Sequence, residues 1–545
     1  MTKHYLTYLS EIIANHWDKP ALTNYGEEQE YTFGELAHEI LRLHTLFRLL
    51  GIRRGDKIAL SGRNSANWAV AYLAIEAYGA VVVSILQDFK AADIRHLVEH
   101  SDSKLMFVGP YVWKDLQAEE LPTLSAVIAL QDFSLIRGDQ EAEHVFSVWA
   151  NEFQKEFPAE SIQPEDIHFE TDPDELCLIN YTSGSMGSPK GVMLNARSLS
   201  NNIETGMDFL PAPVGGTVVS ILPMAHMFGQ ICEFLYPLCS GCHIYFLVKT
   251  PTPTILLKAL QAVQPYEVVM VPLVIEKIYK KNIATRISSG AIRLFWKAPV
   301  IGSIIRKKVK ETLNKSFGGQ IRYFLLGGAA LSPEVEDCLL DIHFPLTVGY
   351  GMTECGPLIG GNHPSKFKAR SCGRPVLNTE VKIDEPNEQG IGEILVKGEN
   401  VMLGYYKNAS ATRAAFTADG WMRTGDLGYI DKHQNIFLKG RNKTMILGSS
   451  GQNIYPEEIE DKLNNLEGVS ESIVVEREGK LVGLVFPDEQ ATKGKALEEI
   501  ERLMKENLAK LNKLIPGYSQ VSEIEIKEEP FEKTPKKSIK RFLYK

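Results

Sequence analysis

Apolar positions recur along this chain at two periods, and the switch between them marks its elements. "TFGELAHEILRLHTLFRLLG", residues 32–51, carries them three and four apart and stops at Gly51, which predicts an amphipathic helix. "KIALSG" then predicts a short strand, and "WAVAYLAIEAYGAVVVSIL" a helix, a break at Gly79 and a buried strand. "ELCLIN", 175–180, reads as a further strand. Alternation of this kind from about residue 30 to 250 predicts a layered α/β architecture with parallel strands. Beyond about residue 370 the texture changes. "TEVKIDEP" and "GEILVKG" are short strand patterns joined by Gly and Asn turns, a β-rich subdomain. "NIYPEEIEDKLNNLEGV", "ESIVVERE", "KLVGLVFPD" and a charged helix at 494–513 predict a small α+β unit. The expected boundary falls near residue 442, giving a large domain over 1–442 and a small mobile one over 443–545. A chain of 545 residues is too long for one core, so at least two domains are required. There are no internal repeats or low-complexity tracts.

Composition narrows the function classes. An apolar fraction of 44% with 23% charged residues is that of a soluble globular protein. The net charge of −9 argues against a general nucleic-acid binder. Seven cysteines, an odd number, make no disulfide framework and fit a reducing compartment. Cys239 and Cys242 form "CSGC", but no second ligand pair accompanies them, so buried thiols are expected. The first residues lack the apolar core of a signal peptide, and no window reaches the length of a membrane span. The expectation is a cytoplasmic protein.

Four stretches carry chemistry. "YTSGSMGSPKGV", 181–192, combines Gly184, Gly187 and Gly191 with Thr182, Ser183 and Ser185, so backbone N–H groups and hydroxyls can converge on an anion beside Lys190. It is not a Walker A loop, because Gly191 follows Lys190 and the glycine spacing differs. "GYGMTECGP", 349–357, offers the Tyr350 ring for stacking on a base, Thr353 as a phosphate donor and Glu354 as a carboxylate for Mg²⁺. "TGDLG", 424–428, presents Asp426, whose two oxygens suit a ribose diol. "KGRNKTMILGSSGQNIYPEEIE", 439–460, places Arg441 and Lys443 before a turn containing Gly451. Singly, each also fits a surface turn or a solvated charge.

Together and in this order, with "LPMAHMFG" at 222–229, "VPLVIEKIY" at 271–279 and "LLGGAALS" at 325–332, the set resembles the adenylate-forming superfamily of acyl-CoA synthetases, nonribosomal adenylation domains and beetle luciferases. The resemblance spans essentially the whole chain. It implies a two-step reaction: a carboxylate attacks the α-phosphorus of Mg·ATP to give acyl-AMP and pyrophosphate, and a thiol then displaces AMP. It implies that Thr182, Ser183, Gly184, Ser185, Gly187 and Lys190 clamp the β- and γ-phosphates, and that Gly328, Ala329 and Ala330 wall the adenine. Tyr350, with Gly351 and Met352 beside it, is implied to stack on adenine. Thr353 is implied to touch the α-phosphate, Glu354 with Thr182 to hold Mg²⁺, and Asp426 and Arg441 to hold the ribose. Lys443 falls at the hinge position and Gly451 in the turn beyond it. His226 is implied to flank the acyl site with Phe228 and Gly229.

The loop departs from the family pattern, with Ser185 and Met186 in place of its usual two threonines. A larger departure lies in "KTPKKSIKR", 533–541, where Ser538 takes the place of the family's catalytic lysine. Lys537 and Lys540 are the expected substitutes. No insertion separates "TGDLG" from "KGRNK", which by the resemblance permits coenzyme A as acceptor; an acyl carrier protein is the alternative. Residues 276–330 resemble the long-chain fatty acyl-CoA synthetases. The stretch 277–315 holds eleven Lys or Arg against one acid, Glu311, so contact with an anionic membrane from its inner face is an expectation alongside a solvated helical face. The reading is a fatty acid–CoA ligase, with two alternatives: an acyl-adenylating ligase that loads a carrier protein, or an acyl-nucleotide-binding protein impaired by Ser538.

Overall fold

The computed structural model describes residues 2–158, 161–164, 167–169, 172–182, 189–249, 252–284, 295–296, 298–442, 444–447, 453–477, 479–535 and 538–544. Two large, mostly parallel sheets form the first part of the chain. One runs Gly404–Tyr405, Lys190–Asn195, Leu176–Thr182, Val81–Ser84, Lys57–Ser61, Ser103–Val108, Ala126–Ala129 and Leu135–Gly138. The other runs Leu346–Val348, Tyr323–Leu326, Glu267–Met270, Thr217–Ser220, His243–Phe246, Pro20–Asn24 and Glu30–Thr32.

Local sequence explains the elements that matter. The helix Phe33–Leu49 starts on a capping box, in which the Thr32 hydroxyl accepts from Glu35 N and Glu35 accepts from Thr32 N. It gives way to Gly51 at φ +68°. The helix Ala66–Ala77 is buried at every position, in keeping with a sequence that is apolar but for Asn67 and Glu76, and touches strands of both large sheets. It is the layer between them.

The α/β texture held, but one continuous run became two sheets. The strand Pro20–Asn24 pairs in parallel with His243–Phe246, far away in sequence. Periodicity reports which residues are buried, not which strand they meet. The glycine-rich stretch 181–192, expected as a loop after a strand, has strands at both ends: Leu176–Thr182 pairs antiparallel with Lys190–Asn195, and Thr182 lies opposite Lys190. Two paired strands therefore flank residues 183–188, which lie outside the described residues.

The β-rich part is a four-stranded antiparallel sheet of Thr379–Asp384, Gly392–Gly398, Met422–Ile430 and Ile436–Arg441. The last part packs the helices Pro456–Asn464 and Leu497–Leu514 on the strands Val469–Arg477, Lys480–Pro487 and Val521–Ile526, around Leu463, Val474, Val485, Met504 and Leu511. Among the described residues, no helix is long and apolar enough to cross a membrane.

Candidate active site

The carboxyl ends of parallel strands carry Thr182, the segment 328–330 and Tyr350, as is usual for ligand sites on such sheets, while Asp426 and Arg441 stand on the antiparallel sheet. Val81–Ser84 runs parallel to Leu176–Thr182, with Ser84 opposite Asn180, so the segment 85–90 and Thr182 leave the first sheet at one edge. Asn180 is buried there and donates to Ala225 O at 2.9 Å, fixing the segment that leads into His226. From the other side, Asn64 donates to Leu222 O at 2.6 Å and accepts from Met224 N at 2.9 Å. His226 caps the short helix Met227–Gly229, its Nδ1 accepting from Phe228 N at 3.3 Å. Phe228 is buried against Gly327, where a Cβ would meet the ring at 2.8 Å. Gly328, at φ +83°, turns the chain after Tyr323–Leu326, and Gly328, Ala329 and Ala330 form an exposed shelf.

The segment Tyr350–Pro357 is clasped by polar side chains. Asn202 donates to Cys355 O at 3.1 Å and accepts from Leu358 N at 2.8 Å. Met402 N donates to Glu354 O at 2.9 Å. At Gly351 a Cβ would stand 2.1 Å from Pro357 O, and Met352 N donates to that same oxygen at 2.8 Å. Only glycine permits that approach.

Two polar clusters result. In the first, the Tyr350 hydroxyl donates to Asp426 Oδ2 at 2.7 Å and Arg441 Nε meets Asp426 Oδ1 at 3.1 Å. Asp426 lies opposite Arg441 across paired strands. Burial raises the Asp426 pKa and outweighs the pull of Arg441, whose side chain is largely exposed. In the second cluster, the Tyr405 hydroxyl donates to Glu354 Oε1 at 2.9 Å, and the Lys190 ammonium sits 4.7 Å from the centre of the Tyr405 ring. Thr353 is buried beside Glu354.

Sequence reasoning missed Tyr405. It is held there because Gly404–Tyr405 adds as a two-residue strand to Lys190–Asn195. The available signal was Gly404, which stands at φ +140° with Thr412 packed against it, directly before two tyrosines.

Thr182, Lys190, His226, Gly328, Ala329, Ala330, Tyr350, Gly351, Met352, Thr353, Glu354, Asp426, Arg441 and Lys540 lie among the described residues; Ser183, Gly184, Ser185, Gly187, Lys443, Gly451 and Lys537 lie outside them. The terminal stretch folds back on itself: Lys533 pairs with Ile539, and Thr534 N donates to Ser538 O at 2.8 Å. Ser538 is exposed. Lys540 pairs with Glu532 at 3.3 Å and, with Lys533, Thr534 and Pro535, faces Asp88, Lys90 and Asp93 across a cavity of about 290 Å³. Asp88 belongs to the segment that leaves the first sheet beside Thr182. The terminal stretch thus stands at the edge where Thr182 ends its strand.

Among the described residues, no cluster of three or more His, Cys, Asp or Glu gathers as a metal site. The lone Glu354 carboxylate fits Mg²⁺ brought on nucleotide phosphates, since that ion takes one or two carboxylates plus phosphate oxygens. Cys239 and Cys242 are buried thiols, and burial pushes Cys242 up to about 12.

Fold and clusters together define an enzyme of the adenylate-forming class. Residues 9–406 match the AMP-binding enzyme family and residues 443–544 the AMP-binding enzyme C-terminal domain. The chain belongs to the AMP-binding enzyme family and is an acid–thiol ligase of the AMP-forming kind. It is similar to the long-chain-fatty-acid–CoA ligase FadD15 of Mycobacterium bovis, 28% identical over 86% of this chain and 79% of that one. It is also similar to the chloroplastic long-chain-fatty-acid–[acyl-carrier-protein] ligase AEE15 of Arabidopsis thaliana, 27% identical over 84% and 72%. Among solved structures, the anthranilate CoA ligase AuaEII in complex with anthranoyl-AMP shares the fold at a TM-score of 0.78 and 18% identity, over 99% of this chain and 96% of that one. ATP-bound MatB from Rhodopseudomonas palustris does so at 0.75 and 20%, over 98% and 97%.

Proposed function

We propose that this enzyme activates a fatty acid to acyl-AMP with Mg·ATP and passes the acyl group to coenzyme A. The observation that carries the reading is the pair of clusters around Asp426 and Glu354. An anchored ring and a carboxylate–guanidinium pair suit adenosine, while a carboxylate, a lysine and a buried threonine suit its phosphates. In this reading Thr353 and Lys190 contact phosphates and Glu354 with Thr182 holds the Mg²⁺ that arrives with them, where the ion supplies charge neutralisation. Tyr350 and the shelf 328–330 bound the adenine, and Asp426 and Arg441 take the ribose. Positioning and charge stabilisation do most of the catalytic work. Lys537 or Lys540 takes the part of the lysine absent at 538, carried on the hairpin that faces Asp88. Domains of 1–442 and 443–545 rotating about Lys443 let one cleft serve both half-reactions.

The fatty-acid assignment is supported by the similarity to FadD15 and coenzyme A by the missing insertion; similarity to AEE15 keeps a carrier protein as the second acceptor. Free thiols support a reducing, cytoplasmic setting. Exposed Val300, Ile301 and Ile304 beside Arg306, Lys307 and Lys308 support peripheral contact with anionic lipid, which sedimentation with phosphatidylglycerol vesicles checks.

The deciding experiment is ATP–pyrophosphate exchange with short, medium and long acids, on wild type, Lys537→Ala and Lys540→Ala, followed by addition of coenzyme A. Exchange that falls in one variant identifies the working lysine, and thioester formation identifies the acceptor. Absence of exchange with every acid, while ATP still binds, leaves only the impaired-binder reading.

A further inference from the structure

Glu267 is an acid where the fold calls for an apolar residue. It opens the strand Glu267–Met270, is followed by Val268, Val269 and Met270, and is 1% exposed. That strand runs parallel to Tyr323–Leu326, with Met270 opposite Leu326 at the end nearest the shelf 328–330. Glu267 lies three residues, or about 10 Å, deeper.

A cavity of about 30 Å³ lies against it, walled by Ile231, Cys232, Leu325, Gly349 and Leu358. These five adjoin segments already in the site: Gly349 precedes Tyr350, Leu325 leads to Gly327, Ile231 and Cys232 follow Gly229 and Leu358 follows Pro357, while Phe209, Leu210, Thr347 and Asn362 line it from outside them. The cavity thus borders the inner side of the site. Ile231 and Cys232 are turned into it by a π-helical stretch, Gln230–Leu235, a feature often found at functional sites. Its size is that of a water or two, so an acyl chain must widen it on entering.

No hydrogen bond of ordinary geometry reaches either carboxyl oxygen of Glu267. The hydroxyls of Tyr236 and Tyr266 lie near enough to favour its ionised form, but each is committed elsewhere: Tyr236 donates to Leu210 O, and Tyr266 donates to Tyr236 at 3.3 Å. Burial raises the Glu267 pKa to about 8, so at neutral pH the group is mostly an uncharged carboxylic acid able to donate and to accept. An unmatched buried polar group is costly, and a plain alkyl terminus would leave it unmatched. A leucine would serve such a terminus better.

We propose that Glu267 is the specificity-determining end wall of the acyl site, and that the acid activated here carries a hydroxyl, carbonyl or amide group at its far end that pairs with the Glu267 carboxyl. Sites that hydrogen-bond a substrate group reject the analogue lacking it far more strongly than an apolar pocket rejects an extra methylene. The proposal rests on the ligase reading.

The test is ATP–pyrophosphate exchange by the full chain with matched pairs of acids, saturated and terminally hydroxylated, from hexanoic to palmitic. At the best length, wild type should favour the hydroxy acid in kcat/KM by at least about tenfold. Glu267→Gln, which keeps a hydrogen-bonding amide, should retain a preference, and Glu267→Leu or Glu267→Met should reverse it. Equal kcat/KM for both acids in wild type, or an unchanged ratio in the apolar variants, overturns the assignment. Calorimetric titration of the same pairs in the presence of ATP separates the two readings. A retained binding preference without exchange removes the ligase reading alone, and equal affinities remove the role of Glu267.

Discussion

Tyr350 donates its phenol to Asp426 over 2.7 Å, so the ring proposed to face the base is fixed by the acid proposed to hold the ribose. Asp426→Ala should loosen both at once. Loss of a hydrogen bond to a charged acceptor, about 1.5–3 kcal/mol, corresponds to roughly a ten- to hundredfold weaker Kd for ATP. Tyr350→Phe keeps the ring and should cost less. Equal, small effects in both variants, read by calorimetry, would remove the shared anchor.

Tyr405 joins Lys190 to Glu354, and its substitution separates the two contacts. Tyr405→Phe retains the ring under the ammonium and loses only the donor to Glu354; exchange should fall about fivefold to tenfold. Glu354→Gln and Lys190→Ala should abolish it. Full activity in either of the latter contradicts the phosphate site drawn here.

Ser538 is exposed, so a longer side chain there can extend into solvent. Ser538→Lys should leave Tm nearly unchanged, within about 0.5 kcal/mol of stability, and should raise the rate of adenylate formation in single-turnover measurements. No gain in rate would mean that the hairpin does not bring position 538 to the reacting phosphate.

Gly351 cannot gain a side chain without moving Pro357 O, which a Cβ would approach to 2.1 Å. Gly351→Ala should cost about 1–3 kcal/mol of stability and displace Tyr350 and Thr353 together. Unaltered denaturant unfolding and unaltered ATP binding would show that the segment adapts.

Glu267 gives stability a pH dependence of known sign. Its proton is held up to about pH 8 in the fold but lost near 4.5 from the unfolded chain. Stability therefore falls as pH rises between those values, because the native state binds the extra proton. Glu267→Gln has no proton to lose. Its gain in stability over wild type should be absent near pH 4 and reach a few kcal/mol by pH 8, read as Tm against pH. A gain that does not change with pH would indicate that the acid is already ionised in the fold.

Much of the fold is legible in the sequence. The strand runs, the helix that ends before Gly51 and the change of texture after about residue 370 are local, and local rules read them. The pairing of Pro20–Asn24 with His243–Phe246 was not legible, because strand partners depend on the whole chain. Tyr405 escaped for the same reason, since its place depends on a two-residue strand joining an edge elsewhere. Glu267 escaped for a different one. An acid at the head of an apolar run looks like a solvated strand end, and only packing reveals that water is excluded.

The terminal hairpin is tied at both ends to the small domain's own core elements: Lys533 pairs with Glu471 on Val469–Arg477, and Arg541 with Glu460 on Pro456–Asn464. Lys540, which lies between those two ties, is therefore anchored to that core and not carried on a loose tether. In the proposed rotation its reach would be set by the angle through which the whole domain turns, so a displaced working lysine would have to be matched by a change in the stopping point of the domain.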